Sequence, residues 1–141
     1  MTLPYASLSF RIELRRNVPP AGAAVLFNHT AGEVRVWRMG NSWGDETLSF
    51  VLVLADRTHP IVPKQHSYTR NIPVSLPVAP GGRHEIPFDL GDGGWEPSSA
   101  IELAKTPGAR LAAVYRVPDS PEAVSQGVWR GELRSETVVL A

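Results

Sequence analysis

The sequence contains no cysteine. This absence excludes disulfide bonds, thiolate nucleophiles and zinc sites built from cysteine. A chain without disulfides suits a reducing compartment, so the sequence predicts a cytoplasmic protein.

The sequence also has no net charge, because fourteen basic side chains balance fourteen acidic ones. A nucleic-acid-binding protein usually carries a basic stripe that displaces counterions from phosphates. The close basic group formed by Arg11, Arg15 and Arg16 is too small for that role. The sequence therefore predicts no nucleic-acid partner.

Long apolar runs are missing too. No run approaches the roughly 18 residues that a membrane-spanning helix needs. The first ten residues, MTLPYASLSF, have polar breaks where a signal peptide has an uninterrupted apolar region. We expect no membrane partner and no leader, and we assign residues 1–141 to one domain, since this length is typical of a single hydrophobic core.

What the sequence does contain is strand-like alternation. Between Leu8 and Leu14 every second residue is apolar, which is typical of a strand with one buried face. The run from Leu48 to Leu54 is apolar at nearly every position and is the best candidate for a central strand. Further strand-like runs occupy residues 72–78, 86–90, 111–117 and 129–140.

The sequence also predicts the form of two connections between these strand-like runs. The runs AAVLFNHT and EVRVWRM, separated by Ala31-Gly32, predict a β-hairpin over residues 24 to 39. Residues 56 to 70 show little periodicity, which predicts a long loop of the kind that is often functional.

Two of the later strands show irregularities. Pro73 and Pro77 lack N–H groups on the same side of their strand, which predicts an edge strand that is blocked against further pairing. In the last strand the apolar parity changes near Ser135, and this change predicts a bulge or a two-sided end at that position.

The overall pattern predicts an all-β fold. Ser99 followed by Glu102 forms a capping-box pattern, which predicts one short helical turn near residues 99–105. Seven to eight short strands separated by Pro- and Gly-rich turns predict an immunoglobulin-like antiparallel β-sandwich. This interpretation rests on the strand layout, because the Cys and Trp markers of antibody domains are missing.

The sequence offers no recognisable catalytic arrangement. No serine has the G-x-S-x-G context of an α/β-hydrolase nucleophile, and the four histidines lack zinc-ligand spacing such as H-x-x-x-H. The GDGG run lacks the Lys and Ser/Thr that follow in a phosphate-binding loop. We therefore expect no enzyme activity, no cofactor and no metal, and we do not expect a small-molecule ligand.

Five residues are candidates for partner binding from their context. Trp43 and Trp95 lie in runs of Gly, Asn and Asp, where a ring can cap the end of a sandwich or contact a partner. Asp92 precedes Trp95, and its carboxylate can form a turn or, with neighbouring acids, bind calcium. His59 and His66 fall within the predicted long loop.

The order of several motifs resembles a known family. A strand ending in FNHT, the strands VRVWRM and FVLVLAD, a Pro-Gly-Gly turn before IPFDL and a late YRV strand resemble bacterial intracellular proteinase inhibitors of the immunoglobulin-like type. The resemblance covers most of the chain. It implies a β-sandwich that inhibits a peptidase.

A narrower similarity concerns three loops. Chagasin-like inhibitors of cysteine peptidases carry the loop patterns N-P-T-T-G, G-x-G-G and R-P-W. Residues 28–32, 91–94 and 116–118 are similar to these patterns and follow in the same order. The similarity implies that Asn28 begins an inhibitory loop.

Our leading functional prediction is a non-enzymatic module that binds a protein or peptide through loops at one end of the sandwich. Intracellular peptidase inhibition is a more specific form of this prediction. A carbohydrate-binding module is the alternative, because β-sandwiches can stack exposed tryptophans on sugars. The oligomeric state and the partner's identity stay open.

Overall fold

The computed structural model describes residues 8–140, which form mostly antiparallel β-sheets. Strands account for 46% and helices for 14%, so the predicted all-β class is confirmed. The strands are β1 (Leu8–Arg16), β2 (Ala21–Asn28), β3 (Val34–Trp37), β4 (Leu48–Val53), β5 (Thr58–Pro63), β6 (Ser75–Val78), β7 (Arg83–Asp89), β8 (Trp95–Glu96), β9 (Arg110–Val117), β10 (Gly131–Arg134) and β11 (Val138–Val139). The helices are α1 (Ser42–Asp45), α2 (Ser98–Glu102), which continues as a 3₁₀ turn (Leu103–Lys105), and α3 (Pro121–Gln126).

The first sheet has the strand order β1-β2-β7. Phe10 and Ile12 of β1 are buried, whereas Ser9 and Arg11 are exposed, which confirms the predicted alternation. The same alternation places Ile86 and Phe88 of β7 in the core.

The second sheet has the order β10-β9-β4-β5-β8, and β11 also pairs with β9. Its central strand is β4, in which Leu48 and Phe50 are 1% exposed and Leu52 is 0% exposed. The prediction that this run is a core strand is therefore confirmed. The other face of β4 is only half-buried.

The two sheets pack against each other through a shared hydrophobic core. The ring of Phe50 in the second sheet lies 4.6 Å from that of Phe88 in the first. The ring centroid of Tyr115 in the second sheet likewise lies 5.8 Å from that of Phe10 in the first. These contacts align the edge strands β7 and β8 on one side of the molecule, where the candidate site lies.

The predicted hairpin over residues 24 to 39 is wrong. β2 pairs with β1 and β7, whereas β3 pairs with β6 in a separate two-stranded sheet. The buried side chain of Asn28 donates to the carbonyl oxygens of Gly32 and Val78 at 2.9 Å each. Its oxygen accepts from the backbone N–H of Thr30 at 2.9 Å. These bonds satisfy the polar groups of a turn through which the chain leaves the first sheet, so β3 does not fold back onto β2.

The predicted long loop over residues 56 to 70 is wrong in its first half, which forms β5. Ile61 is 1% exposed and belongs to the core. The prolines at positions 60 and 63 obscured this strand. Leu54 N donates to the Arg57 carbonyl oxygen at 2.9 Å, so the hydrogen-bonded pairs of this ladder fall at His59 and Ile61. Pro60 lies between them with its nitrogen turned away from β4, and β8 pairs with Val62 and Pro63, so the missing N–H does not break a ladder.

The predicted edge strand is shorter than expected. β6 covers only the second half of residues 72–78, and among the strands of residues 8–140 it pairs with β3 alone, which confirms an edge position. Ile72 is 51% exposed and Val74 is 36% exposed, so the first half does not contribute to the core.

The helical turn near 99–105 is confirmed, but its predicted capping box at Ser99 is wrong. The helix begins at Ser98, and its N-cap is Pro97, which makes no side-chain capping bond. The carbonyl oxygen of Pro97 accepts from Ala100 N at 3.1 Å, so helical hydrogen bonding starts before Ser99.

Helix α3 was not predicted from the sequence. Its N-cap is Ser120, whose hydroxyl accepts from Ala123 N at 3.0 Å, and Pro121 occupies the first turn. Gly127 ends the helix in the left-handed conformation with φ of 64°.

Of the two alternatives predicted near Ser135, a bulge or a two-sided end, the structure shows the bulge. β10 ends with Arg134 opposite Val114, and β11 begins with Val138 opposite Leu111. The four residue steps from Arg134 to Val138 thus lie opposite three residue steps from Val114 to Leu111, and one extra residue on one strand defines a β-bulge. The Ser135 hydroxyl accepts from Ala113 N at 2.8 Å and supplies the acceptor that the ladder lacks there.

Within residues 8–140, no helix has the length and the apolar composition that a bilayer crossing requires.

Candidate binding groove

An open groove lies between the edge strands β7 and β8 of the two sheets. Its volume is about 530 Å³, within the range typical of ligand sites. Its apolar lining comprises the half-buried Met39 and Pro63, the exposed Pro87, and the buried core residues Leu48 and Ile86. We call it the inter-sheet groove, and its charged and aromatic lining comprises Asp45, Glu46, Lys64, His66, Tyr68, Asp92 and Trp95.

Trp95 forms one wall of this groove. It is the first residue of β8, where it pairs with Pro63 of β5. Its half-buried ring stands edge-on to Phe50 at 5.2 Å and 70°, so the core fixes its position. The sequence prediction that a strand core does not reach Trp95 is wrong, because the short strand β8 docks the ring onto the core.

The turn before Trp95 brings Asp92 to the mouth of the groove. Oδ1 of Asp92 accepts from Gly94 N at 2.7 Å, and Gly93 has φ of 85°, which favours glycine. The carbonyl oxygen of Gly94 accepts from Lys64 N at 2.9 Å. Asp92 therefore forms the turn and still presents an exposed carboxylate beside Trp95.

His66, Tyr68 and Asp45 form a cluster on the opposite wall. Tyr68 donates its hydroxyl to Oδ2 of Asp45 at 2.9 Å. Nε2 of His66 lies 3.7 Å from the same oxygen. The ring centroids of His66 and Tyr68 are 4.2 Å apart. The other Asp45 oxygen accepts from Gly40 N at 2.8 Å.

Tyr68 is a neutral hydrogen-bond donor in this cluster. Burial, the hydrogen bond to Asp45 and the negative charges of Asp45 and Glu46 raise the pKa of Tyr68 to about 12. Its proton therefore stays in place near neutral pH, where the hydroxyl holds the Asp45 carboxylate in a fixed orientation.

Residues 64–74, which we call the strap, lie against helix α1 and carry His66 and Tyr68, whereas Asp45 belongs to α1. Asn71 accepts from Ser42 N at 2.9 Å and donates to the Ser42 hydroxyl at 2.8 Å. The helix itself is capped by Asn41, which accepts from Gly44 N at 2.9 Å. The strap and α1 thus support each other beneath His66.

Trp43 lies in a different groove. It belongs to α1 rather than to the predicted loop, and its ring packs 6.2 Å from that of Trp37. Its Nε1 donates to Glu122 of α3 at 3.3 Å. We call this second groove, of about 900 Å³, the outer groove; it lies on the other side of residues 63–65.

His59 does not line either groove. It lies on β5 opposite Leu52, a fully buried core residue. Its Nε2 is buried and has no hydrogen-bond partner among the residues that the structure describes. This placement makes it a residue of the sheet rather than of the predicted loop.

Asn28 is 0% exposed, so its side chain does not face a partner. The register of β2 and β7 also separates the loops that are similar to the chagasin-like patterns. Residues 28–32 follow the end of β2 that pairs with the start of β7, whereas residues 91–94 follow the end of β7. The length of β2 places these loops about 20 Å apart, at opposite ends of the sheet.

Three of the six predicted site residues therefore meet in the inter-sheet groove: His66, Asp92 and Trp95. Asp45 and Tyr68 were missed. Their hydrogen bond joins two segments 23 residues apart, and no local spacing pattern indicates such a contact.

No group of three or more His, Asp or Glu side chains within residues 8–140 is placed to hold a metal ion. Comparisons of the chain with protein-family models, with curated proteins and with solved structures found no match.

Proposed function

We propose that the protein is a non-enzymatic module that binds a protein segment or peptide in the inter-sheet groove. The observation that carries this proposal is the convergence of His66, Asp92 and Trp95, from separate parts of the chain, along one open groove. An apolar lining with a few oriented polar groups is the usual composition of a binding site.

The groove is also rigidly supported, which favours binding because little order is lost when a partner docks. Trp95 is fixed against Phe50, and Tyr68 is fixed against Asp45. The hydrogen bonds of Asp45 and Asp92 serve the local fold, as expected of a preformed docking surface.

We further propose that the two sheets form an immunoglobulin-like sandwich. The order β1-β2-β7 corresponds to strands A, B and E of that fold, and β10-β9-β4-β5 corresponds to G, F, C and C′. In this arrangement the binding groove lies along the edge between the sheets, rather than among the loops of one end as the sequence led us to expect.

The test is selection of peptides from a displayed random dodecamer library on the immobilised protein. Synthetic copies of the selected peptides are then measured against a double variant, His66→Ala with Asp92→Asn. The asparagine retains an acceptor for Gly94 N, so the turn is preserved. We expect affinity to fall about tenfold, the effect of about 1.4 kcal/mol.

The matched control is His29→Ala with Asp56→Asn, which changes an exposed histidine and an exposed aspartate away from the groove. It should bind like the unaltered protein, and both variants should have unchanged melting temperatures. Selected peptides that bind the groove variant at full strength would refute the proposal. Binding of polysaccharides in place of peptides, followed by tryptophan fluorescence, would instead favour a carbohydrate-binding module.

A further inference from the structure

The charge around the inter-sheet groove is unbalanced. Asp45, Glu46 and Asp92 contribute three carboxylates, whereas Lys64 contributes one ammonium group. The chain as a whole has fourteen charges of each sign, so the excess is a local property of the groove. Carboxylates placed around a cavity raise the local concentration of cationic groups.

The carboxylates retain acceptor capacity for such a group. Asp45 uses one oxygen for Gly40 N and the other for the Tyr68 hydroxyl. A carboxylate offers about four acceptor positions, so about half of its capacity remains. Asp92 uses Oδ1 for Gly94 N, and its side chain is exposed.

The apolar and aromatic lining of the groove suits the rest of a long basic side chain. Met39, Pro63 and Pro87 offer accessible apolar surface along which an aliphatic stem can lie while its charged end reaches the carboxylates. Trp95 and the neutral Tyr68 provide aromatic rings that attract a cation. A neutral apolar side chain would match the apolar lining of the groove but would leave its carboxylates without a cationic partner.

Strand addition at this edge is a poorer explanation of binding. The groove is bounded by β7, which lies at the edge of its sheet. Pro87 of β7 lines the groove, and it has no N–H to donate to an added strand. At the β7 edge this favours recognition by a side chain that enters the groove.

We infer that the inter-sheet groove receives a lysine or arginine side chain of the partner peptide. This inference rests on the proposed function, because it assigns a ligand chemistry to the same groove.

The experiment uses the peptides selected on the full chain. Each basic residue is replaced by its neutral counterpart, citrulline for arginine or norleucine for lysine, and the dissociation constants are compared. One replacement in each peptide should weaken binding about tenfold or more. Raising the ionic strength should weaken the parent peptide more than the neutral one.

Two protein variants test the same charge pairing in opposite directions. Glu46→Gln should weaken binding of the parent peptide about threefold, and Lys64→Gln should strengthen it about threefold, as expected for exposed charge pairs. The control is Glu132→Gln, because Glu132 lines only the outer groove and should leave affinity unchanged.

The outcomes separate this inference from the proposed function. Peptides that lose affinity for the His66→Ala and Asp92→Asn double variant, yet bind equally well with every basic residue neutralised, would overturn the basic side chain and leave the module in place. Peptides that are insensitive to the double variant would overturn both.

Discussion

Asn28 combines complete burial with two hydrogen bonds donated by its amide nitrogen and two accepted by its amide oxygen. A buried amide in this state closes a turn at little cost, because each polar atom has a partner. His84 is the opposite case. Its Nε2 is buried without a partner within the described range, and burial lowers the pKa of His84 below its usual 6.5.

His84 should make stability depend on pH. Because its pKa is lowered in the folded state, the unfolded chain binds the proton more readily. The stability contributed by neutral His84 is complete above pH 6.5, the ordinary value, and is lost as the pH falls below it. In urea denaturation, His84→Leu should therefore gain stability relative to the unaltered protein when the pH is lowered from 7.5 to 5.

A second variant controls for packing in this experiment. His84→Gln also lacks the titrating ring, so it should show the same change with pH although its absolute stability differs. A stability difference that is equal at pH 7.5 and pH 5 for both variants would show that His84 does not titrate as described.

At the scale of elements, helix α1 positions one wall of the groove through a close backbone contact. A Cβ atom on Gly44 would overlap the carbonyl oxygen of Arg38. The four-residue helix carries Asp45, which holds Tyr68 of the strap. The approach of α1 to the chain before it therefore requires a glycine.

Gly44→Ala should destabilise the fold by about 1–3 kcal/mol, the cost of overpacking a site that backbone atoms enclose. The control is Gly32→Ala, since a Cβ there meets nothing within 4 Å. Urea denaturation of both variants gives the comparison. Equal stability of the two variants would mean that α1 does not approach Arg38 as closely as described.

Alternating burial explains why some strands could be predicted from the sequence. β4 and β7 alternate throughout and β1 alternates as far as Ile12, because each turns one face to the core and contains no proline at a buried position. β5 escaped prediction because Pro60 and Pro63 resemble loop residues. The hairpin was wrong because partner choice depends on the buried bonds of Asn28, which join it to Val78, fifty residues away.

For the whole molecule, the site was only partly predictable because contacts between distant segments assemble it. The glycine-rich turn marked Asp92 and Trp95 locally, and His66 was marked by the irregular segment around it. Asp45 and Tyr68 meet because the strap returns across α1, a contact set by tertiary packing. The separation of Trp43 from Trp95 into two grooves likewise follows from residues 63–65, which lie between them.

A peptide that occupies the inter-sheet groove changes the chemical environment of the residues around it. Backbone amide chemical shifts of the labelled protein, recorded by nuclear magnetic resonance as a selected peptide is added, report this change residue by residue. We predict that the largest changes fall on Asp45, Glu46, residues 64–68 and residues 92–95. Changes centred on the outer groove around Trp43 and Glu132, or on the turn at residues 28–32, would mean that the peptide binds elsewhere.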